Sequence, residues 1–194
     1  MFCYNLEMIG IDEVGRGAWA GPMLVVAARQ FKEIPGNIVD SKMLSKASRE
    51  TLIETIIGCC QLGEGWVSAS EIDQFGLTEA TRMGVGRALR DLKAESGEKI
   101  IVDGHINFCP DSFTNSRCQI KADENVSVVS AASIYGKVVR DGFMRRMADN
   151  YPEYCFDKNV GYGTKAHQAA LAKYGVCKIH RQSYKPVAKI INND

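Results

Sequence analysis

Four acidic residues, Asp12, Glu13, Asp103 and Asp123, stand at or just after the ends of segments that read as β-strands. An open α/β sheet gathers its ligands beyond the carboxyl ends of its strands, so carboxylates placed there can converge. Anions held that close raise one another's pKa values unless a cation neutralises them. An all-oxygen donor set suits Mg²⁺ or Mn²⁺ rather than zinc, and the three histidines, His105, His167 and His180, are too scattered along the chain to suggest an imidazole cluster. Such an ion keeps several waters and commonly binds through carboxylates plus substrate phosphate, which suits phosphodiester hydrolysis. Taken singly, each acid reads as an ordinary surface residue. The Asp12-Glu13 doublet before a glycine-rich turn is what singles the set out. Neighbours on a regular strand point to opposite faces, so these two reach one site only if the strand ends there, as Gly15 and Gly17 would allow.

The same turn invites a second reading, because Gly15-Arg16-Gly17-Ala18-Trp19-Ala20 fits the glycine pattern of dinucleotide-binding folds. Three features oppose it. An acidic pair just upstream would repel a pyrophosphate, Pro22 sits where the helix should be extending, and residues 23 to 31 read as a strand. The glycines point instead to a backbone that approaches a ligand closely.

The elements that must position these residues alternate in type. Strands are expected over Leu6 to Asp12, Met23 to Phe31, Gly65 to Ala69, Lys99 to Asp103 and Arg117 to Lys121. Helices are expected over Ser45 to Cys60, Thr78 to Lys93 (weakened by Gly84 and Gly86), Val126 to Asn150 and Thr164 to Lys173, with a basic tail after the last. This order predicts an α/β fold, a mixed sheet flanked by helices, with residues 1–150 as the core and 151–194 as a helical C-terminal region packing on the same domain. On the long helix Ser133, Lys137 and Asp141 recur every four residues and share one face, either bordering the site or pairing in solvent.

With 194 residues, 45% of them hydrophobic and 24% charged, the chain can bury a full core and falls outside disordered and fibrous compositions. Its longest apolar run, Met23 to Ala28, is far short of the ~20 residues a membrane helix needs, and the acidic Glu7 near the start is unlike a secretory leader; a cytoplasmic protein is expected. Seven cysteines without a C-x-x-C pair read as reduced thiols. Charge is unevenly spread. Residues 158 to 194 hold seven Lys/Arg against Asp194, a balance of +6, which leaves −5 elsewhere. A basic tail beside an acidic body fits a segment that tracks phosphates while the body holds cations, and fits a solvated helical face equally well.

Six blocks, in order, resemble the ribonuclease HII family: IGIDEVGRGAWAGPMLVVAA (9–28), DSKMLS (40–45), VDG (102–104), KAD with SAASIYGKVVRD (121–141), GYGT with His167 (161–167) and HRQSYKPV (180–187). The resemblance implies a ribonuclease H-like sheet flanked by helices, with Asp12, Glu13, Asp103 and Asp123 as catalytic, metal-binding carboxylates. It implies two-metal hydrolysis, one ion activating water and the other stabilising the leaving 3′-oxygen, with 5′-phosphate and 3′-hydroxyl products. The substrates implied are RNA-DNA hybrids and duplex DNA carrying single ribonucleotides. There the backbone of Gly15, Arg16 and Gly17 and the hydroxyl of Tyr162 would read the 2′-hydroxyl. Ser41 and Lys42 would contact phosphates, and Lys137 and Asp141 would act on the site indirectly.

The chain departs from that pattern at Trp19, where a smaller residue is expected, and at Tyr135-Gly136, in place of Leu-Ala. The ending Asn192-Asn193-Asp194 shows no aromatic clamp-binding motif, and nothing demands more than a monomer. Two other readings stand beside this one. A nucleic-acid binding module without activity is opposed by the intact acids, and another metal nuclease of the same fold is opposed by the GRG and GYGT blocks, which concern ribose rather than metal.

Overall fold

The computed structural model describes residues 8–38 and 46–192; Ser41, Lys42 and the last two residues lie outside this range. Five strands, β1 (Met8–Val14), β2 (Met23–Gln30), β3 (Cys60–Val67), β4 (Lys99–Asp103) and β5 (Ser116–Gln119), form one sheet in the order β3-β2-β1-β4-β5. β1 runs antiparallel to β2 and parallel to β4, and β4 runs parallel to β5. The sheet is therefore mixed, as expected. The β1-β2 hairpin leaves no room for the crossover helix of a dinucleotide-binding unit. Met23 to Ala28 of β2 is buried throughout, the property of an apolar run covered on both faces.

Seven helices occupy the described chain: α1 (Lys46–Cys59), α2 (Ala69–Asp91), α3 (Ala122–Asn125), α4 (Ser127–Asn150), α5 (Phe156–Asn159), α6 (Lys165–Tyr174) and α7 (Lys185–Ile191). Several boundaries differ from expectation, among them β3, which begins at Cys60 rather than Gly65 and ends at Val67. β1 continues past Asp12 to Val14, because pairing with β2 extends to Val14 opposite Leu24 while pairing with β4 stops at Ile11 opposite Val102. α2 begins at Ala69 rather than Thr78, because Ser68 and Glu71 form a capping box: Glu71 N–H donates to Ser68 Oγ at 3.2 Å and Ser68 N–H to Glu71 Oε2 at 2.9 Å. The helix then breaks at Gly76, the residue that obscured it in the sequence. The basic tail holds α7, with Pro186 in its first turn and Val187 fully buried.

The chain divides into two compact units. The first comprises Met1–Val14, Leu24–Trp66 and Thr81–Val138, and the second Gly15–Met23, Val67–Ala80 and Val139–Asp194. Within the first, α4 meets β1 backbone to backbone: a Cβ at Gly10 would lie 2.6 Å from the carbonyl carbon of Val128 and from Val129 N. Gly65 of β3 abuts the Gly84 carbonyl in the same manner, so Gly84 gives a packing contact for the helix propensity it costs. The Tyr135-Gly136 departure is also accommodated here. Tyr135 donates to Glu64 Oε1 at 2.8 Å, with Trp66 Nε1 donating to Glu64 Oε2 at 2.7 Å, and a Cβ at Gly136 would press on Val14 and Val26 at 3.1 Å. The core of the second unit is built from Ala20, Met144, Tyr154, Phe156, Leu171 and Val187.

Candidate active site

In the first unit the parallel register of β1 and β4 ends with Ile11 opposite Val102, which leaves Asp12 and Asp103 as the next residues on adjacent strands. Asp12 is buried, with 7% of its surface exposed, while Glu13, Asp103 and Asp123 are half-buried. β1 continues past Asp12 to Val14, so the strand end expected at Asp12 is not found, while the charge of Glu13 still acts on the Asp12 carboxyl. The Glu13 N–H donates to Asp12 Oδ1 at 2.8 Å. Asp103 Oδ1 accepts the Ala122 N–H at 2.7 Å, which brings the end of β4 to the short helix that carries Asp123. That helix is anchored from behind by Ser130, whose hydroxyl donates to the Asp123 carbonyl at 2.5 Å.

Burial pushes the Asp12 carboxyl up to about 7, a hydrogen bond from Ser133 opposes this, and the charges of Glu13 and Asp103 add to the rise. A buried carboxylate destabilised by two neighbouring anions is the environment that a cation relieves. The donor set is all oxygen, fitting a hard divalent ion such as Mg²⁺ or Mn²⁺. Among the described residues no three acidic, histidine or cysteine side chains are gathered closely enough to hold an ion by themselves, so an ion here would need water and substrate phosphate beside the carboxylates.

In the second unit the turn Gly15–Met23 is held through both its N–H groups and its carbonyls: Trp19 and Ala20 N–H donate to Gly161 O at 2.8 and 3.2 Å and Gly21 N–H to Ile179 O at 2.8 Å, while carbonyls accept from buried arginines. Gly15 has φ +85°, and a Cβ there would lie 1.9 Å from Arg140 Nε, so glycine is required on both counts. Arg140 is fully buried on α4 and donates to Pro22 O (2.8 Å), Val160 O (3.1 Å) and Ala20 O (3.3 Å). Burial lowers its pKa to about 10. Its guanidinium also lies 5.5 Å from the centre of the half-buried Tyr162 ring. Trp19 fits without disturbance because its ring lies against Gly163, where a Cβ would come within 2.2 Å, and beside His167 at 5.9 Å between ring centres.

His167 and His180, far apart in the chain and read as scattered, are in contact: their Nε2 atoms are 2.9 Å apart and both rings are buried. Lys137 is half-buried on α4, and Asp141, buried, stands 3.8 Å from Arg145. Sequence reasoning passed over Ser133 as a partner of Asp12, and over Arg140 and Arg181 as buried charges. All three stand in blocks that the sequence singles out, Ser133 and Arg140 in SAASIYGKVVRD and Arg181 in HRQSYKPV, but burial of an arginine leaves no mark in the sequence, and Arg181 reads there as part of the basic tail. The six lysines of that tail are exposed, whereas Arg181 is fully buried.

Residues 9–187 match the ribonuclease HII family. The chain is 41% identical over 182 residues to a ribonuclease HII of Campylobacter jejuni subsp. doylei, covering 94% of this chain and 92% of that protein. It is 39% identical over 188 residues to one of Coxiella burnetii, covering 96% and 92%. In structure it is similar to the ribonuclease HII of Archaeoglobus fulgidus solved in complex with PCNA, with a TM-score of 0.77 and 25% identity over 93% of this chain and 96% of that one. The mixed five-stranded sheet with flanking helices is thus a ribonuclease H-like fold, and the chain belongs to the ribonuclease HII family of ribonuclease H-type hydrolases.

Proposed function

We propose that this protein is a divalent-metal-dependent endoribonuclease that hydrolyses the RNA strand of RNA-DNA hybrids. It also cuts on the 5′ side of ribonucleotides embedded in duplex DNA, leaving 3′-hydroxyl and 5′-phosphate ends. The observation behind this reading is the placement of Asp12 and Asp103 at the ends of adjacent parallel strands, with the ionised form of Asp12 opposed by burial and by both neighbouring acids. Asp12, Glu13, Asp103 and Asp123 would hold Mg²⁺ or Mn²⁺, which when bound supplies activation of water and stabilisation of the leaving oxygen.

The residues of the chain do the rest. Ser133 holds the Asp12 carboxyl by a hydrogen bond, and Asp103 is oriented by the Ala122 N–H. Backbone groups of Gly15, Arg16 and Gly17 and the hydroxyl of Tyr162 read the 2′-hydroxyl, the group that distinguishes RNA from DNA. Ser41 and Lys42 contact phosphates, and Lys137 and Asp141 tune the site without touching the reacting atoms.

The test is a labelled duplex containing one ribonucleotide, incubated with Mg²⁺ or Mn²⁺ beside an all-DNA duplex and an Asp103→Asn variant. Cutting 5′ of the ribonucleotide, absent from both controls, is the expected result. An intact ribonucleotide duplex under both metals would leave a nucleic-acid binding role in its place.

A further inference from the structure

The Arg16 carbonyl is the most heavily held acceptor of the glycine-rich turn. Arg181 Nη1 donates to it at 2.9 Å and the Tyr184 hydroxyl at 2.5 Å, while the same Nη1 donates to Tyr184 Oη at 2.9 Å. The three groups close a triangle in which both lone pairs of one carbonyl are engaged. Arg181 cannot swing away from it, because its Nε donates to Gly21 O at 3.0 Å and its own N–H to Trp19 O at 2.8 Å. The guanidinium is fully buried, so the charge it places beside the Arg16 peptide is little screened by water.

In a trans peptide the carbonyl and the following N–H point in opposite directions. Pinning the Arg16 carbonyl toward Arg181 and Tyr184 therefore aims the Gly17 N–H directly away from them. Among the described residues no acceptor meets that N–H, and a Cβ at Gly17 would have no atom within 4 Å. The turn thus presents one oriented donor at an open position, polarised by two hydrogen bonds on the far side of its own peptide.

We infer that Arg181 and Tyr184 are positioning residues for ribonucleotide selection: they fix the Arg16-Gly17 peptide plane so that the Gly17 N–H meets the oxygen of a 2′-hydroxyl. The inference rests on the assignment of the turn to ribose reading made above, and adds how the turn is set. The hydroxyl of Tyr184 is the separable part, since Tyr184→Phe keeps the ring and removes one of two donors to the carbonyl.

The experiment measures binding by fluorescence anisotropy in EDTA, which prevents cleavage, for a duplex with one ribonucleotide and for the all-DNA duplex of the same sequence. Wild type binds the ribonucleotide duplex more tightly, and Tyr184→Phe, still folded, lowers that preference about two- to tenfold, the worth of one oriented hydrogen bond, with affinity for the all-DNA duplex unchanged. Arg181→Lys, which keeps the charge but not the fork, lowers it further. Full preference in a folded Tyr184→Phe overturns the inference, as does an equal loss of affinity for both duplexes. A wild type with no preference overturns instead the ribose-reading assignment beneath it.

Discussion

His167 and His180 share a single proton between Nε2 atoms 2.9 Å apart. Its owner is fixed by the backbone. The Cys177 N–H donates to His180 Nδ1 at 2.9 Å, so His180 carries its proton on Nε2; His167 then accepts at Nε2 and donates from Nδ1 to the Tyr162 carbonyl at 3.0 Å. We expect ¹⁵N-detected NMR at pH 7.5 to show the Nε2–H tautomer for His180 and the Nδ1–H tautomer for His167. The reverse pair, or an imidazolium at either position, would contradict this chain.

Acid should attack the same pair. Burial, then His167, brings His180 down to about 4, and burial lowers His167 as well, so below pH ~6.5 the unfolded chain binds more protons than the folded one. Stability contributed by the pair is present above that pH and is lost as the pH falls toward 4. His180→Ala, which leaves two buried partners unmet, should cost about 2–3 kcal/mol in urea denaturation at pH 7.5 and distinctly less at pH 5. A cost independent of pH would show that the pair does not titrate this way.

For Asp12 the sign is opposite. Its folded pKa, about 7, lies above the ordinary 3.8, so the folded protein binds the extra proton and stability falls as the pH rises through this window. In metal-free protein Asp12→Asn should raise Tm over wild type at pH 8 and much less at pH 5.5, where the wild-type carboxyl is already neutral. Scanning calorimetry in EDTA at the two pH values checks it, and equal gains at both would refute the assignment.

Ser133 stabilises the ionised form of Asp12 by its hydrogen bond. Ser133→Ala should therefore move the acid limb of the kcat/KM profile to higher pH, by up to about one unit, with the plateau above it less affected. A uniform loss at all pH values would assign Ser133 a purely structural part.

Gly10→Ala puts a methyl 2.6 Å from the α4 backbone, a contact that no side-chain rotation relieves. Destabilisation of about 3 kcal/mol or more is expected by chemical denaturation, a large value for adding one carbon. A cost under 1 kcal/mol would mean that α4 can lift from β1.

Much of the architecture was legible because its signals are local. KIIVD ends in the acid that it delivers, and β4 spans Lys99–Asp103 as expected. α4 was legible because a long stretch without proline ends at Tyr151-Pro152. The start of α2 was missed because Gly76 breaks its pattern, although the Ser68-to-Glu71 capping box was there to be read. The carboxylates stood out by type and place. What the sequence could not disclose was burial of charge: Arg181 looks like one more basic residue of the tail until its carbonyl partners, more than a hundred residues away, are known.

The hold of the HRQSY block on the turn also sets an order of events during synthesis. All five strands have been made once Gln119 has left the ribosome, and the sheet can pair. The carbonyls of Arg16, Trp19 and Gly21 must then wait for Arg181, and Arg16 also for Tyr184, which follow Gln119 by more than sixty residues. A nascent or prematurely halted chain would carry its acids on a paired sheet while its glycine-rich turn stayed unset. On the role proposed for that turn, ribonucleotide selection would be acquired only after the sheet has formed.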